Sequence, residues 1–154
     1  MDIDQLVDYL DTPDNASIWL RSLGLEDLEQ AHKNLVGIAN LGITLDLVAM
    51  LAEQLTEHLP QTSHPDMALS NLRYFISSSR NPLSLATLWE RDQQALSTLL
   101  QIFSTSQYLS DLLIRDPESY DLLRLTEGQP VARDVLVNEI CSEILPLEKE
   151  RDVI

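Results

Sequence analysis

Residues 93–113 read QQALSTLLQIFSTSQYLSDLL, which places Leu96, Leu99, Leu100 and Phe103 on one helical face and Leu109, Leu112 and Leu113 on another. Spacings of three and four are the period of an α-helix, whereas a strand alternates at every second residue. The same period continues outward. Leu85, Leu88 and Trp89 carry it upstream, and before them Leu69, Leu72, Phe75 and Ile76. With 4 glycines, 2 phenylalanines and few β-branched runs, the chain offers little from which to build strands. The expected fold is all-α, an irregular bundle of about eight to ten short helices, because each periodic stretch is brief and closed by its own stop signal.

The stop and start signals divide the chain. A first helix carrying Ile3, Leu6, Val7 and Leu10 ends before Thr12-Pro13, and Asp14 or Asn15 is expected to cap a second that carries Ile18, Trp19 and Leu23 as far as Gly24. A third runs from Glu26 towards Asn40 on Leu28, Ala31, Leu35 and Ile38 until Gly42, and Thr44 caps a fourth that ends at Pro60. His64-Pro65, Asn81-Pro82 and Asp116-Pro117 each put a polar residue before a proline suited to the first helical position, so they read as helix starts. Gly128 and Pro130 precede a last stripe of Ala132, Val135, Leu136, Ile140 and Ile144. The linker-like residues 60–65 separate an acidic N-terminal helical segment, 1–60, from a second helical segment, 66–154; the two could equally form one domain. From Pro146 the chain continues as helix-forming sequence with apolar Leu147, Val153 and Ile154 and no stop signal, which predicts a piece of a longer protein.

Charge narrows the partners. The chain holds 25 acidic and 10 basic residues, a net charge of −15, and such a chain repels the phosphates of nucleic acids and anionic lipids. The apolar stretch Leu35 to Ala52 is interrupted by Asn40, Thr44 and Asp46, which marks a core helix and not a membrane span. The lone Cys141 and a start, Met1-Asp2-Ile3-Asp4, without a basic or apolar leader point to a cytoplasmic protein. Acidity is concentrated at the front, where residues 1–66 hold 12 acidic against 2 basic residues. Arginines punctuate the rest, and Arg73, Arg80 and Arg91 are the candidate interaction surface, since a guanidinium pairs bidentately with carboxylates.

No constellation carries catalysis. The glycines fit neither a P-loop nor a dinucleotide fingerprint, and His32, His58, His64 and Cys141 share no metal-ligand spacing. Ser63-His64-Asp66 has the residue types of a nucleophilic triad, but loop neighbours do not converge on one substrate atom. Asp2-Ile3-Asp4 reads as an acidic first turn favoured by the helix dipole. Ser77-Ser78-Ser79 reads as the polar close of one helix, and Trp19 and Trp89 as core. No catalytic, metal or cofactor-binding residue is therefore assigned.

One stretch carries a resemblance. From Asn71 to Leu125, an aromatic, serine-rich helix end precedes Arg80 and Pro82, Asp92 leads into Leu96 to Phe103, Ser104 to Leu113 follows, and then comes Asp116-Pro117-Glu118. This run resembles the N-terminal helical region of the bacterial glutamine synthetase adenylyltransferase and adenylyl-removing enzymes, while residues 1–65 align with nothing in that family. The resemblance implies a cytoplasmic parent with two nucleotidyltransferase domains using ATP and magnesium. One would attach AMP to glutamine synthetase and the other remove it, under PII signalling proteins. The glycine-serine turn and Asp-x-Asp pair of those active sites match nothing here. The chain is thus expected to be inactive alone, a scaffold with surface for glutamine synthetase, PII or the remainder of its own polypeptide. The alternative is a stand-alone acidic helical adaptor whose apolar stripes bind a partner helix.

Overall fold

Capping decides where each helix of this chain begins, and the computed structural model, which describes residues 1–120, shows the caps at work. Asp27, Thr44, Asn81 and Asp92 each accept a hydrogen bond from the backbone N–H three residues on, and helices follow directly. The order is α1 (Ile3–Asp11), α2 (Pro13–Ser22), α3 (Leu28–Ala39), α4 (Leu45–His58), a 3-10 turn (Leu59–Gln61), α5 (Pro65–Ser78), α6 (Pro82–Arg91), α7 (Gln93–Thr105) and α8 (Gln107–Arg115). Among the described residues there is no strand, so the all-α expectation holds. No described helix is long and apolar enough to cross a membrane.

Two local expectations are corrected. The second helix starts at Pro13 with Thr12 in the cap position, so Asp14 and Asn15 lie inside its first turn instead of capping it. Proline at the first position has a preset φ and no N–H to waste, which moves the start ahead of the polar pair. Ile18, expected on the buried stripe, is 80% exposed, because the inward face of α2 is formed by Ala16 and Leu20 and leads to Leu23.

Met1–Arg115 forms one compact unit and Asp116–Ile154 a second. Within the first, α5 is the central helix, packed on α3, α7 and α8. Its Ala68, Leu69, Leu72, Phe75 and Ile76 are fully buried, and the Phe75 ring meets Phe103 of α7 with centroids 5.7 Å apart at a tilt of 58°. Burying an aromatic side chain of this size is worth about 3 kcal/mol against leaving it in water. The 60–65 segment joins helices of this one unit: Asp66, in the first turn of α5, accepts hydrogen bonds from the N–H groups of Glu26 (2.9 Å) and Asp27 (3.3 Å) and so pins the α2–α3 loop. Gly24 makes that loop possible. Its φ of +86° suits glycine, and a Cβ there would stand 3.2 Å from the Pro65 ring. In the second unit the Ser119 hydroxyl donates to the Asp116 carboxylate at 2.8 Å, closing a turn. The expected last helix, Cys141, Arg124, Arg133 and the terminal run from Pro146 lie outside the described residues.

Candidate functional site

The three nominated arginines start from the same chemistry and end in different surroundings. Arg73 projects from α5 onto α3, where Nη1 donates to Oδ1 of Asn34 at 3.2 Å. It fits there because position 37 is glycine: a Cβ on Gly37 would lie 2.6 Å from Arg73 Nε, inside van der Waals contact. Asn34, 2% exposed, is itself held by Gln30, which donates to its Oδ1 at 3.2 Å, and it donates from Nδ2 to the Ser70 hydroxyl at 3.0 Å. The guanidinium carbon also lies 5.9 Å from the ring centroid of Tyr74, an exposed neighbour. Arg73 is thus part of the α3–α5 seam, with its charge held at the edge of that seam.

Arg80 and Arg91 are exposed at opposite ends of α6, Arg80 just before its cap and Arg91 as its last residue. A ten-residue helix is about 15 Å long, so the two flank α6 and do not converge on one anion. Between them, Ala86 and Trp89 are buried, and α6 packs on α4.

The other nominees resolve into structural roles. Ser77 donates its hydroxyl to the Tyr74 carbonyl at 3.0 Å, and the Ser79 hydroxyl accepts from the Asn81 N–H at 3.2 Å, a polar helix end followed by a cap. The Asp66 carboxylate is engaged by the two loop amides and not by His64, which occupies the position before Pro65. The Nε2–H of His32 donates to the Tyr9 carbonyl at 2.9 Å, since a carbonyl can only accept. Trp89 is in the core, while Trp19 stacks on Tyr9 with centroids 5.4 Å apart and donates to the Thr56 hydroxyl at 2.9 Å. Among the described residues no group of three or more His, Cys, Asp or Glu is placed to hold a metal ion.

Three buried amides were missed from the sequence. Asn34, Asn71 and Gln54 occupy positions on apolar stripes, where a polar side chain must find a partner or forfeit its hydration. Asn71 donates to the Phe103 carbonyl at 2.9 Å, and Gln54 donates to the Trp89 carbonyl at 2.9 Å. These bonds tie α5 to the end of α7, and α4 to α6. The signal available in the sequence was an amide at helical spacing from apolar residues: Ala31 and Ile38 about Asn34, Ala68 and Phe75 about Asn71, and Leu51 before Gln54.

No protein-family model matches the chain, and no solved structure matches it. A curated relative does: a bifunctional glutamine synthetase adenylyltransferase/adenylyl-removing enzyme of Corynebacterium glutamicum is 29% identical over 108 residues. The match covers 70% of this chain and 10% of that enzyme, so the chain spans about a tenth of the relative's length. The similarity supports a relationship to that enzyme at low identity.

Proposed function

We propose that this chain is a helical, non-catalytic region of a glutamine synthetase adenylyltransferase/adenylyl-removing enzyme, acting as scaffold and interaction surface. The similarity over 108 residues carries the reading. The helical fold fits it, since the active sites of the resembled family need an Asp-x-Asp pair on a strand and the described residues form helices. In this reading ATP and magnesium belong to the remainder of the parent, no cofactor is held by this chain, and the whole works in the cytoplasm. Arg80 and Arg91, exposed on either side of α6, are the positions from which it would engage acidic surface on glutamine synthetase or PII.

Titrating the chain into glutamine synthetase, and separately into PII, by calorimetry tests this. The reading expects saturable binding to one of them and no transfer or release of AMP by the chain alone. Binding to neither, or turnover by the chain alone, contradicts it.

A further inference from the structure

We propose that Met50 is a peroxide-sensitive switch on the seam between α4 and α6, its thioether becoming a sulfoxide that no longer holds the Gln54 amide. The inference rests on this seam alone and stands independently of the enzyme similarity. Met50 and Gln54 lie one turn apart on α4. Gln54 Nε2 donates to Met50 Sδ at 2.8 Å and to the Trp89 carbonyl of α6 at 2.9 Å. One primary amide thus spends both of its N–H groups, on a sulfur of its own helix and on a carbonyl of the neighbouring one. Gln54 is 4% exposed and Trp89 fully buried, so water does not take the place of a lost partner there. Met50 itself is only half-buried, which leaves part of its side chain open to a small solute. A buried amide that ties two helices together is therefore held in place by an oxidisable side chain at the edge of the core.

The chemistry balances with hydrogen peroxide as oxidant. A lone pair of the Met50 sulfur attacks one peroxide oxygen, the O–O bond breaks and an S–O bond forms; the departing hydroxide collects the proton left on the new S–OH group and leaves as water. Sulfur loses two electrons and peroxide gains them. A thioether sulfur accepts the Gln54 N–H, whereas the sulfoxide sulfur is the positive end of the S–O dipole and repels it. Oxygen added on the side of Gln54 instead would stand in a 2.8 Å contact that has no room for it. Either sulfoxide epimer therefore displaces the Gln54 amide, the bond to the Trp89 carbonyl is lost with it, and α6 loosens from α4. Met1 and Met67, also half-buried, are the other methionines of the chain and serve as internal controls.

The full 154-residue chain is treated with hydrogen peroxide, each methionine is followed by peptide mass spectrometry, and deuterium exchange is read helix by helix. Oxidation of Met50 should raise exchange across α6 about tenfold, the scale of one buried hydrogen bond lost. Methionine sulfoxide reductase with a thiol should reverse it. Peroxide should leave α6 exchange unchanged in Met50→Leu, while Met67→Leu responds as wild type does. In Gln54→Leu, which has already lost the tie, oxidising Met50 should add less than about twofold; should that variant fold poorly, the two methionine variants decide alone. Met50 sulfoxide with α6 exchange unchanged, the same rise in Met50→Leu, a rise spread evenly over all helices, or a Met50 that stays reduced after Met67 is fully oxidised would overturn the proposal.

Discussion

Asn71 and Gln107 exchange hydrogen bonds through their amides: Asn71 Nδ2 donates to Gln107 Oε1 at 3.3 Å, and Gln107 Nε2 donates to Asn71 Oδ1 at 3.2 Å. Asn71 is 4% exposed and donates again to the Phe103 carbonyl, so one side chain of the central helix α5 fixes both the end of α7 and the start of α8. Gln107 passes the link on to Asp111 at 2.8 Å. The corner between α7 and α8 is held by polar bonds around the apolar contact of Phe75 with Phe103.

Asn71→Leu should therefore cost about 1 to 3 kcal/mol, because it strands the buried Phe103 carbonyl that Asn71 now satisfies. Urea denaturation reads this as a lower midpoint at unchanged slope. A midpoint equal to wild type would mean that the amide is dispensable.

Gly37 and Arg73 should be coupled. Alanine in place of a mid-helix glycine ordinarily stabilises by about 0.5 to 1 kcal/mol. Here the added Cβ would meet Arg73 Nε at 2.6 Å, so the arginine side chain must swing aside and give up its bond to Asn34, and Gly37→Ala should stabilise the wild-type chain less than the Arg73→Ala chain. A double-mutant cycle in thermal unfolding checks the difference, and additive effects would contradict it.

Gly24→Ala should lower stability by about 1 to 2 kcal/mol, since an L side chain at φ +86° is strained and the new Cβ crowds Pro65. Gly42→Ala shares the positive φ but meets no neighbour within 4 Å, so its loss should be the smaller of the two. Melting temperatures of the pair, measured side by side, test the ranking.

Much of this architecture is legible locally. The α7 stripe of Leu96, Leu99, Leu100 and Phe103 is wholly buried as its spacing predicts, and Thr44, Asn81-Pro82 and Pro65 begin helices where they should. What escaped depends on distant partners. The sequence around Arg73, Arg80 and Arg91 treats them alike, and the glycine that makes room for Arg73 lies in another helix. Asn34, Asn71 and Gln54 meet partners more than thirty residues away, beyond any periodicity. Ile18 failed for a smaller reason: two residues from both Ala16 and Leu20, it falls on the far side of α2 from the buried stripe, and a ten-residue helix is too short for its few apolar positions to fix that stripe.

Arg80→Glu/Arg91→Glu should weaken the proposed association with glutamine synthetase or PII about tenfold or more, because both side chains are exposed and their charges would oppose an acidic partner. Arg73→Glu should instead lower stability, through loss of its bond to Asn34. Calorimetry and circular dichroism on the three variants separate the two outcomes. Full affinity in the double variant would remove both residues from the interface.

The most direct test of the proposed function is native mass spectrometry of adenylylated glutamine synthetase mixed with this chain, phosphate and magnesium. It reads complex formation and the adenylylation state together. The account predicts the chain bound to glutamine synthetase, or to PII in a parallel mixture, with every AMP still in place. A chain bound to neither protein, or glutamine synthetase stripped of its AMP, would contradict it.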